Sequence, residues 1–275
     1  MNLLDATLLG LVEGLTEFVP VSSTGHLILA GAALGLEKDP QLKAAVDAFD
    51  IVIQAGAWLA CIWYYAPLLL NRLADLRSDS AERRERGTRL VVALSIAFVP
   101  VMIVGLLGRK LIKSLLFGTA PVAVALAVGG VVMIAADLWL NRRPRPAKPL
   151  EQIDLKTAAI VGFFQCFSLA PGTSRSMATL IGGLVGGLDR RAAADFAFLL
   201  AIPVLGAATA YELIKEWRVL VDGIGPVAIT VGLITSFITG WASIAVFLKV
   251  LARVGLVPFG IYRLILAAVV WKTLV

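Results

Sequence analysis

Long apolar stretches dominate the chain, and six of them have the length and composition of membrane-spanning helices. Such a helix needs about 20 predominantly apolar residues. The short alternating segments that build a membrane barrel are absent from the sequence. The pattern therefore predicts an all-α polytopic membrane protein with six transmembrane helices, at about 46–67, 89–108, 119–141, 192–217, 223–250 and 257–274.

Two further apolar stretches, 4–35 and 157–188, are interrupted near their middle by Pro, Gly, Ser and Thr. Proline removes a backbone donor and glycine relaxes the helix, so each stretch predicts a helix, a break and a second helix. A broken backbone is tolerated in a bilayer only where protein or a watery cavity satisfies its polar groups. We therefore interpret both stretches as re-entrant helical hairpins.

Composition and charge support a membrane protein and argue against a nucleic-acid partner. The chain has 275 residues, of which 59% are hydrophobic and 16% charged, and its mean hydropathy is +0.88. Soluble proteins are about 25% charged. The net charge is +6, but the basic residues cluster in loops between apolar spans, which is typical of membrane orientation signals.

The distribution of Lys and Arg predicts the orientation of the spans. The loops 71–89 and 141–156 carry six and five basic residues, whereas the loop 109–118 on the opposite side carries three. Loops rich in Lys and Arg stay in the cytoplasm. Counting spans from these loops, we expect the first hairpin to enter from outside, the second to enter from inside, and the C-terminus to lie outside.

The two interrupted stretches predict an internal repeat. Residues 13–27 and 165–178 both run from Glu or Gln through a small residue and an apolar pair to Pro and a Ser/Thr cluster, once a one-residue gap is allowed. Three spans follow each, and an odd number inverts the second copy. We therefore predict one membrane domain over 1–275, with halves of about 1–150 and 151–275 in an inverted-topology repeat whose broken helices meet near the bilayer midplane.

The first break carries a density of polar groups that marks a functional site in an apolar segment. Glu13 and Glu17 are four residues apart and share a helix face, where Mg²⁺ or Ca²⁺ would relieve their repulsion. Ser23 and Thr24 follow, and the start of a second helix there would attract phosphate, although either residue could equally be an ordinary N-cap. His26, the only histidine, is a candidate base, nucleophile or acid.

The second break, 171–176, carries complementary chemistry. Arg175 is the only basic residue between Lys156 and Arg190, and a guanidinium makes bidentate contacts to phosphate. The surrounding hydroxyls that we expect to bind the same anion are Thr173, Ser174 and Ser176. Together the two breaks predict a site for an anionic substrate, in particular a phosphate, with a metal ion.

Two more polar residues lie within apolar spans. Gln54 could line the cavity and contact substrate, or it could make a hydrogen bond between helices. Arg263 lies inside the last span, where we expect a structural role, paired with a buried acid such as Asp195 or with a lipid headgroup.

The sequence resembles a known family along its full length. The segments EGLTEFVPVSSTGH (13–26) and PGTSRS (171–176) are similar to the two signature motifs of undecaprenyl-diphosphate phosphatase of the bacitracin-resistance type. The similarity extends to FDIVIQAGAWLA (49–60) and to the closing VPFGIYRLILAA (257–268). Thr173 stands where some members carry a bulkier residue.

The resemblance implies an activity and roles for the motif residues. Members of that family hydrolyse undecaprenyl diphosphate to the monophosphate, the lipid carrier for peptidoglycan synthesis. The resemblance further implies Mg²⁺ or Ca²⁺ as cofactor, a homodimer, and a site on the outer side of the bacterial cytoplasmic membrane. It implies that Glu13 and Glu17 bind the metal and that Glu17, Ser23, His26 and Arg175 are catalytic.

Two questions stay open from the sequence. The nucleophile could be Ser23 activated by a base, His26 attacking directly, or a metal-bound water. Inverted repeats with broken helices also suit a transporter or flippase of a lipid phosphate or another anion. The acids, the histidine and the arginine at the breaks favour hydrolysis over transport.

Overall fold

The computed structural model describes residues 1–36, 38–116, 118–142 and 146–275, and these residues form helices joined by short connections. No β-strand is present in these ranges, where one isolated bridge pairs Lys148 with Leu188. The α-helices in these ranges are α1 Leu3–Glu17, α2 Ser23–Ala33, α3 Pro40–Leu76, α4 Ala81–Leu116, α5 Thr119–Arg142, α6 Leu155–Cys166, α7 Arg175–Val185, α8 Arg190–Ile224, α9 Pro226–Val254 and α10 Val257–Leu274. Two 3₁₀ turns are also present, at Leu150–Gln152 and Phe167–Leu169.

Six helices are long and apolar enough to cross a membrane, namely α3, α4, α5, α8, α9 and α10. The prediction of an all-α polytopic membrane protein is therefore confirmed. The helices run further than the apolar pattern indicated, because their polar ends are stabilised outside the apolar region. Asp75 of α3 accepts from Arg72 at 3.2 Å and from Arg83 of α4 at 2.9 Å, so most of the predicted loop 71–89 is helical.

Parts of two predicted loops fall outside the described residues. Phe117 belongs to the loop 109–118, and residues 143–145 belong to the loop 141–156. The orientation that we inferred from these loops stays a prediction.

The two interrupted stretches form helix pairs, as predicted. Helices α1 and α2 are separated by residues 18–22, and α6 and α7 by residues 167–174. From here on the first break means residues 13–27 and the second break means residues 165–178, so that each includes the helix ends beside the interruption. Gly172 in the second break has φ +90°, a conformation that L side chains rarely adopt. Whether the pairs enter a bilayer from opposite faces stays a prediction.

The two helix pairs share the same backbone landmarks at the same spacing. Ser22 and Ser174 both have φ 72° and cap the following helix. That helix ends at a glycine with positive φ, Gly35 or Gly187, whose successor bonds back to a carbonyl five residues earlier. This correspondence needs no gap, so the predicted one-residue gap is wrong. The gap came from aligning two prolines, whereas the capping serine is the residue whose backbone conformation is shared.

Packing across the two halves brings the breaks together. Helix α1 packs against α9 and α6 packs against α4, while α5 pairs with α10 and α3 pairs with α8. Glycines permit the closest approaches, since a Cβ on Gly10 or Gly14 would overlap the backbone of α9. A buried apolar cluster includes Phe18 of the first break. Its ring contacts that of Phe198 edge to face, with 5.2 Å between ring centroids.

Candidate active site

A strained serine caps the helix that follows the first break. Ser22 has φ 72°, in the left-handed region that few residues other than glycine adopt. Its hydroxyl accepts a hydrogen bond from the backbone N–H of Gly25 at 3.4 Å, the usual action of an N-cap. The sequence left Ser23 or Thr24 as the possible cap, whereas Ser22 fills that role. Ser23 is consequently the first residue of α2, at the positive end of the helix.

The second break is built in the same way and is bonded to the first. Ser174 has φ 72° and accepts from the N–H of Met177 at 3.3 Å. Ser176 donates its hydroxyl to the carbonyl of Val19 in the first break at 3.1 Å, and its oxygen lies 3.0 Å from that of Ser174. Ser176, one of the hydroxyls that we predicted to bind phosphate, therefore holds the two breaks against each other.

Glu17 joins the chemistry of the two breaks. Its Oε1 accepts from Nη2 of Arg175 at 2.7 Å, and its Oε2 accepts from Oγ of Ser23 at 2.7 Å. Glu17 and Ser23 are 7% and 8% exposed, and the Arg175 side chain is 11% exposed. Buried, charge-assisted hydrogen bonds of this length are among the strongest that proteins make. The structure thus brings three of the predicted catalytic residues into one bonded group.

Glu13 lies beside this group with an unsatisfied oxygen. The residue is 1% exposed, and its Oε1 has no hydrogen-bond partner among the described residues. The charges of Glu17, Asp50 and Arg175 all act on it. Oδ1 of Asp50 and Nε of Arg175 are likewise buried and unpartnered within the described chain. Buried polar atoms are normally satisfied, so the free Oε1 of Glu13 and Nε of Arg175, on two residues that interact with Glu17, indicate a place for a polar ligand.

The residues at this place fit a magnesium-type site better than an all-protein cage. No group of three or more Asp, Glu, His and Cys side chains in the described ranges is arranged to hold a metal ion. Mg²⁺ commonly takes one or two carboxylates and completes its shell with water and substrate phosphate. The pair Glu13 and Glu17, with the free Oε1 of Glu13, suits that mode of binding.

His26 belongs to a different bonded group. Its Nδ1 lies 2.8 Å from the carbonyl oxygen of Ser22, and its Nε2 lies 2.7 Å from the hydroxyl of Tyr262. Within the described chain no hydrogen bond joins His26 to Glu17 or Ser23. Tyr262, which the sequence did not single out, carries no pattern of its own and is found only through this long-range contact.

The remaining predicted substrate contacts lie at the edges of the site. Thr24 is exposed at the start of α2, and Thr173 is half-buried in the second break. Gln54 is half-buried in α3, one turn after Asp50. Their contact with a substrate stays a prediction.

Arg263 holds both breaks in place, a role that the sequence did not reveal. The residue is 0% exposed and donates to carbonyl oxygens of both breaks, Pro20 at 3.3 Å and Gly172 at 2.9 Å. It also donates to two carbonyls of α5, those of Ala125 and Leu126. These bonds satisfy backbone groups that the breaks leave free, as a membrane interior demands.

The predicted partner of Arg263 is wrong. Asp195 accepts instead from the hydroxyl of Tyr65 at 2.6 Å and from Nε of Arg191 at 2.9 Å. The position of an arginine inside an apolar span indicated a structural role, and the bonds to both breaks are such a role. The sequence did not indicate the partners of Arg263, because every residue has a backbone carbonyl and the side-chain types do not show which carbonyls are bonded.

Comparison with known proteins places the chain among membrane phosphatases. The family described as bacitracin resistance protein BacA matches residues 6–269. An undecaprenyl-diphosphatase of Sorangium cellulosum is 50% identical over 268 residues, covering 97% of this chain and 84% of the relative. The undecaprenyl-diphosphatase 2 of Rhodospirillum rubrum is 43% identical over 280 residues, covering 99% of this chain and 97% of the relative.

Proposed function

The chain belongs to the family of the bacitracin resistance protein BacA, and from this premise we propose that it is an integral membrane phosphatase. Its reaction is the hydrolysis of undecaprenyl diphosphate to undecaprenyl monophosphate and inorganic phosphate. The observation that carries the proposal is the buried carboxylate of Glu17, which is bonded to a hydroxyl from one break and to a guanidinium from the other.

Arg175 and the helix N-termini bind the diphosphate. Nε of Arg175 is unpartnered while Nη2 bonds to Glu17, so the guanidinium can contact a phosphate oxygen without leaving the carboxylate. Helices α2 and α7 both begin at the breaks, and their free N–H groups favour an anion there. The exposed hydroxyl of Thr24 adds one more donor to this set.

Glu13 and Glu17 are the residues that would hold a divalent cation, Mg²⁺ or Ca²⁺. When bound, the cation neutralises the negative charge that develops on the phosphate oxygens. The free Oε1 of Glu13 supports this assignment, since a buried carboxylate oxygen without a donor is otherwise costly.

Ser23 is the nucleophile that the hydrogen bonds favour. Its hydroxyl donates to Glu17, so Glu17 accepts the proton as Oγ bonds to the terminal phosphorus. The bond from that phosphorus to the bridging oxygen breaks, and undecaprenyl monophosphate leaves. Water then hydrolyses the phosphoserine and releases inorganic phosphate. A phosphoserine mapped to Ser23 after rapid quenching supports this route, whereas phosphate on His26, or no phosphorylated protein, contradicts it.

The location of the site and the assembly belong to the same proposal. The basic loops support a protein of the bacterial cytoplasmic membrane whose site faces outside. Labelling of Thr24→Cys in intact cells by a membrane-impermeant thiol reagent tests that orientation. A homodimer, which the resemblance implies, is tested by cross-linking in native membranes.

The experiment that tests the function is phosphate release in detergent. Purified protein is mixed with undecaprenyl diphosphate and Mg²⁺, and inorganic phosphate is measured with no membrane gradient present. Release by the wild type that is lost in Glu17→Gln supports the phosphatase. No release in detergent, together with uptake of a lipid phosphate into vesicles, would instead support the transporter.

A further inference from the structure

Tyr262 of α10 is the one side chain among the described residues that forms a hydrogen bond with Nε2 of His26. Its hydroxyl lies 2.7 Å from Nε2, and the two rings are nearly parallel at an interplanar angle of 7° with centroids 5.6 Å apart. The two residues are 236 positions apart in the sequence, and α10 approaches α2 beside the first break. The contact therefore depends on the tertiary fold and not on a local turn.

The opposite ring nitrogen decides which atom carries the proton. Nδ1 lies 2.8 Å from the carbonyl oxygen of Ser22, and a carbonyl oxygen can only accept a hydrogen bond. Nδ1 of the neutral imidazole must therefore carry the hydrogen. Nε2 is then left with a lone pair, and the hydroxyl of Tyr262 is the donor in the contact with it.

We propose that Tyr262 is a positioning residue for His26: the Ser22 carbonyl leaves Nε2 as the basic atom of the ring, and the Tyr262 hydroxyl holds that atom in place. The inference rests on the proposed phosphatase function and deepens it. Any proton that His26 accepts during hydrolysis arrives at Nε2, from which the Tyr262 hydroxyl is displaced. Tyr262 is 45% exposed, so its ring has room to move away.

The residue that follows Tyr262 in α10 fixes the position of this contact. Arg263 follows Tyr262 directly and is bonded to the carbonyls of Pro20 and Gly172. The helix that carries the tyrosine is therefore fixed to both breaks. The imidazole is held from its own helix by Ser22 and from α10 by Tyr262.

Nitrogen NMR tests this hydrogen bond without reference to activity. Protein that carries no histidine tag and is labelled with ¹⁵N only in histidine reports a single imidazole, because His26 is the only histidine. At a pH where the ring is neutral, we expect a protonated Nδ1 and an unprotonated, hydrogen-bonded Nε2. In Tyr262→Phe the Nε2 signal should move toward that of a free lone pair, while the Nδ1 signal stays in place.

A matched variant controls for the loss of a tyrosine hydroxyl elsewhere. Tyr64 lies in α3, where its ring packs against Tyr65. We expect Tyr64→Phe to leave both nitrogen signals unchanged. A protonated Nε2 in the wild type, or an Nε2 signal that does not move in Tyr262→Phe, would overturn the proposal.

Steady-state kinetics then measure the consequence for the reaction. Tyr262→Phe keeps the ring but removes the donor, so we expect kcat to fall about tenfold with little change in KM, as for other residues that orient a functional histidine. An unchanged kcat would also overturn the proposal. If the wild type itself releases no phosphate, the proposed function fails, while the ¹⁵N signals still decide the hydrogen bond.

Discussion

The two helix pairs share a capping serine and a closing glycine and carry different chemistry. Each is closed by a serine with φ 72° that caps a helix of 11 residues, and each helix ends at a glycine with positive φ. In the alignment of the two pairs, Glu13 corresponds to Gln165, Ser23 to Arg175 and His26 to Ala178. The comparison separates what builds the frame from what carries the predicted chemistry, because the capping serine and the closing glycine are shared and the predicted catalytic residues are not.

The charged side chains are divided between the two breaks by sign. The first break supplies both carboxylates and the imidazole, and the second supplies the guanidinium. Neither break alone could hold an anion next to a metal, because one lacks the cation and the other lacks the ligands. Contact between them at Glu17 and Arg175 makes one site from two halves.

The largest effect is expected from removing the cation of the second break. Arg175→Ala takes away the phosphate contact and leaves Glu17 without its charge partner, so kcat/KM should fall at least about a hundredfold, as for other electrostatic groups at a reacting centre. Phosphate release in detergent measures the change. Arg253→Ala, which alters an exposed arginine in the last turn of α9, is the control and should retain wild-type kinetics.

A smaller effect is expected from making the first break resemble the second at one position. Glu13→Gln introduces the residue found at the corresponding position of the second break. It removes a proposed metal ligand while keeping the shape, so the Mg²⁺ concentration for half-maximal rate should rise about ten- to a hundredfold. The exposed residue Glu82 provides the control Glu82→Gln. An unchanged Mg²⁺ dependence would remove Glu13 from the metal site.

The hydrogen bond from Ser176 to Val19 joins the two breaks, and we expect it to affect both the free energy of unfolding and kcat. Ser176→Ala removes the donor to Val19, and we expect a loss of about 1 kcal/mol in the free energy of unfolding, with a severalfold lower kcat. Ser243→Ala removes a similar bond, to the carbonyl of Leu15 at 2.8 Å, away from the second break. That control should lose similar stability and keep its kcat. Equal kcat values in the two variants would contradict a role for Ser176 in aligning the breaks.

The smallest effect is expected from changing the N-cap residue of the first helix in a pair. Asn2 caps α1 and Asp154 caps α6 through the same hydrogen bond to the third helical residue. The hydrogen bond from Lys148 and the N–H of Thr157 lower the pKa of Asp154 to about 2 from the ordinary value of 3.8. Because the folded pKa is the lower one, the stabilisation is present above pH 3.8 and is lost as the pH falls toward 2.

The variant Asp154→Asn gives the second pair the uncharged side chain that the first pair already has. Unfolding of the wild type and the variant between pH 5 and pH 2 measures their difference in stability. We expect that difference to shrink toward acid pH. A difference that stays constant over this range would show that the charge of Asp154 does not stabilise the fold.

The sequence predicted the framework because the framework depends on local features. Hydropathy located the six long helices, and Pro and Gly located the breaks. The ends of α3 and α4 were missed because ion pairs between the helices, such as Arg83 with Asp75, extend them beyond the apolar region. The carboxylates, Ser23 and Arg175 were recognisable because charge and hydroxyls are rare in such segments.

The supporting residues escaped prediction because their partners are distant or carry no side-chain signal. Arg263 bonds to backbone carbonyls, one of which lies 243 residues away. Tyr262 carries no signal of its own in the sequence, and only the fold places it against His26. Sequence therefore identified the candidates for the reacting groups, and only the structure identified the residues that hold them.

The most direct test of one site built from two breaks is a double-mutant cycle on Glu17 and Arg175. The rates of Glu17→Gln, Arg175→Ala and the double variant are measured by phosphate release in detergent. Because the two side chains act as a unit, we expect the double variant to be little slower than the slower single variant. Losses that multiply in the double variant would mean that the two residues act independently, and that the breaks do not form one site.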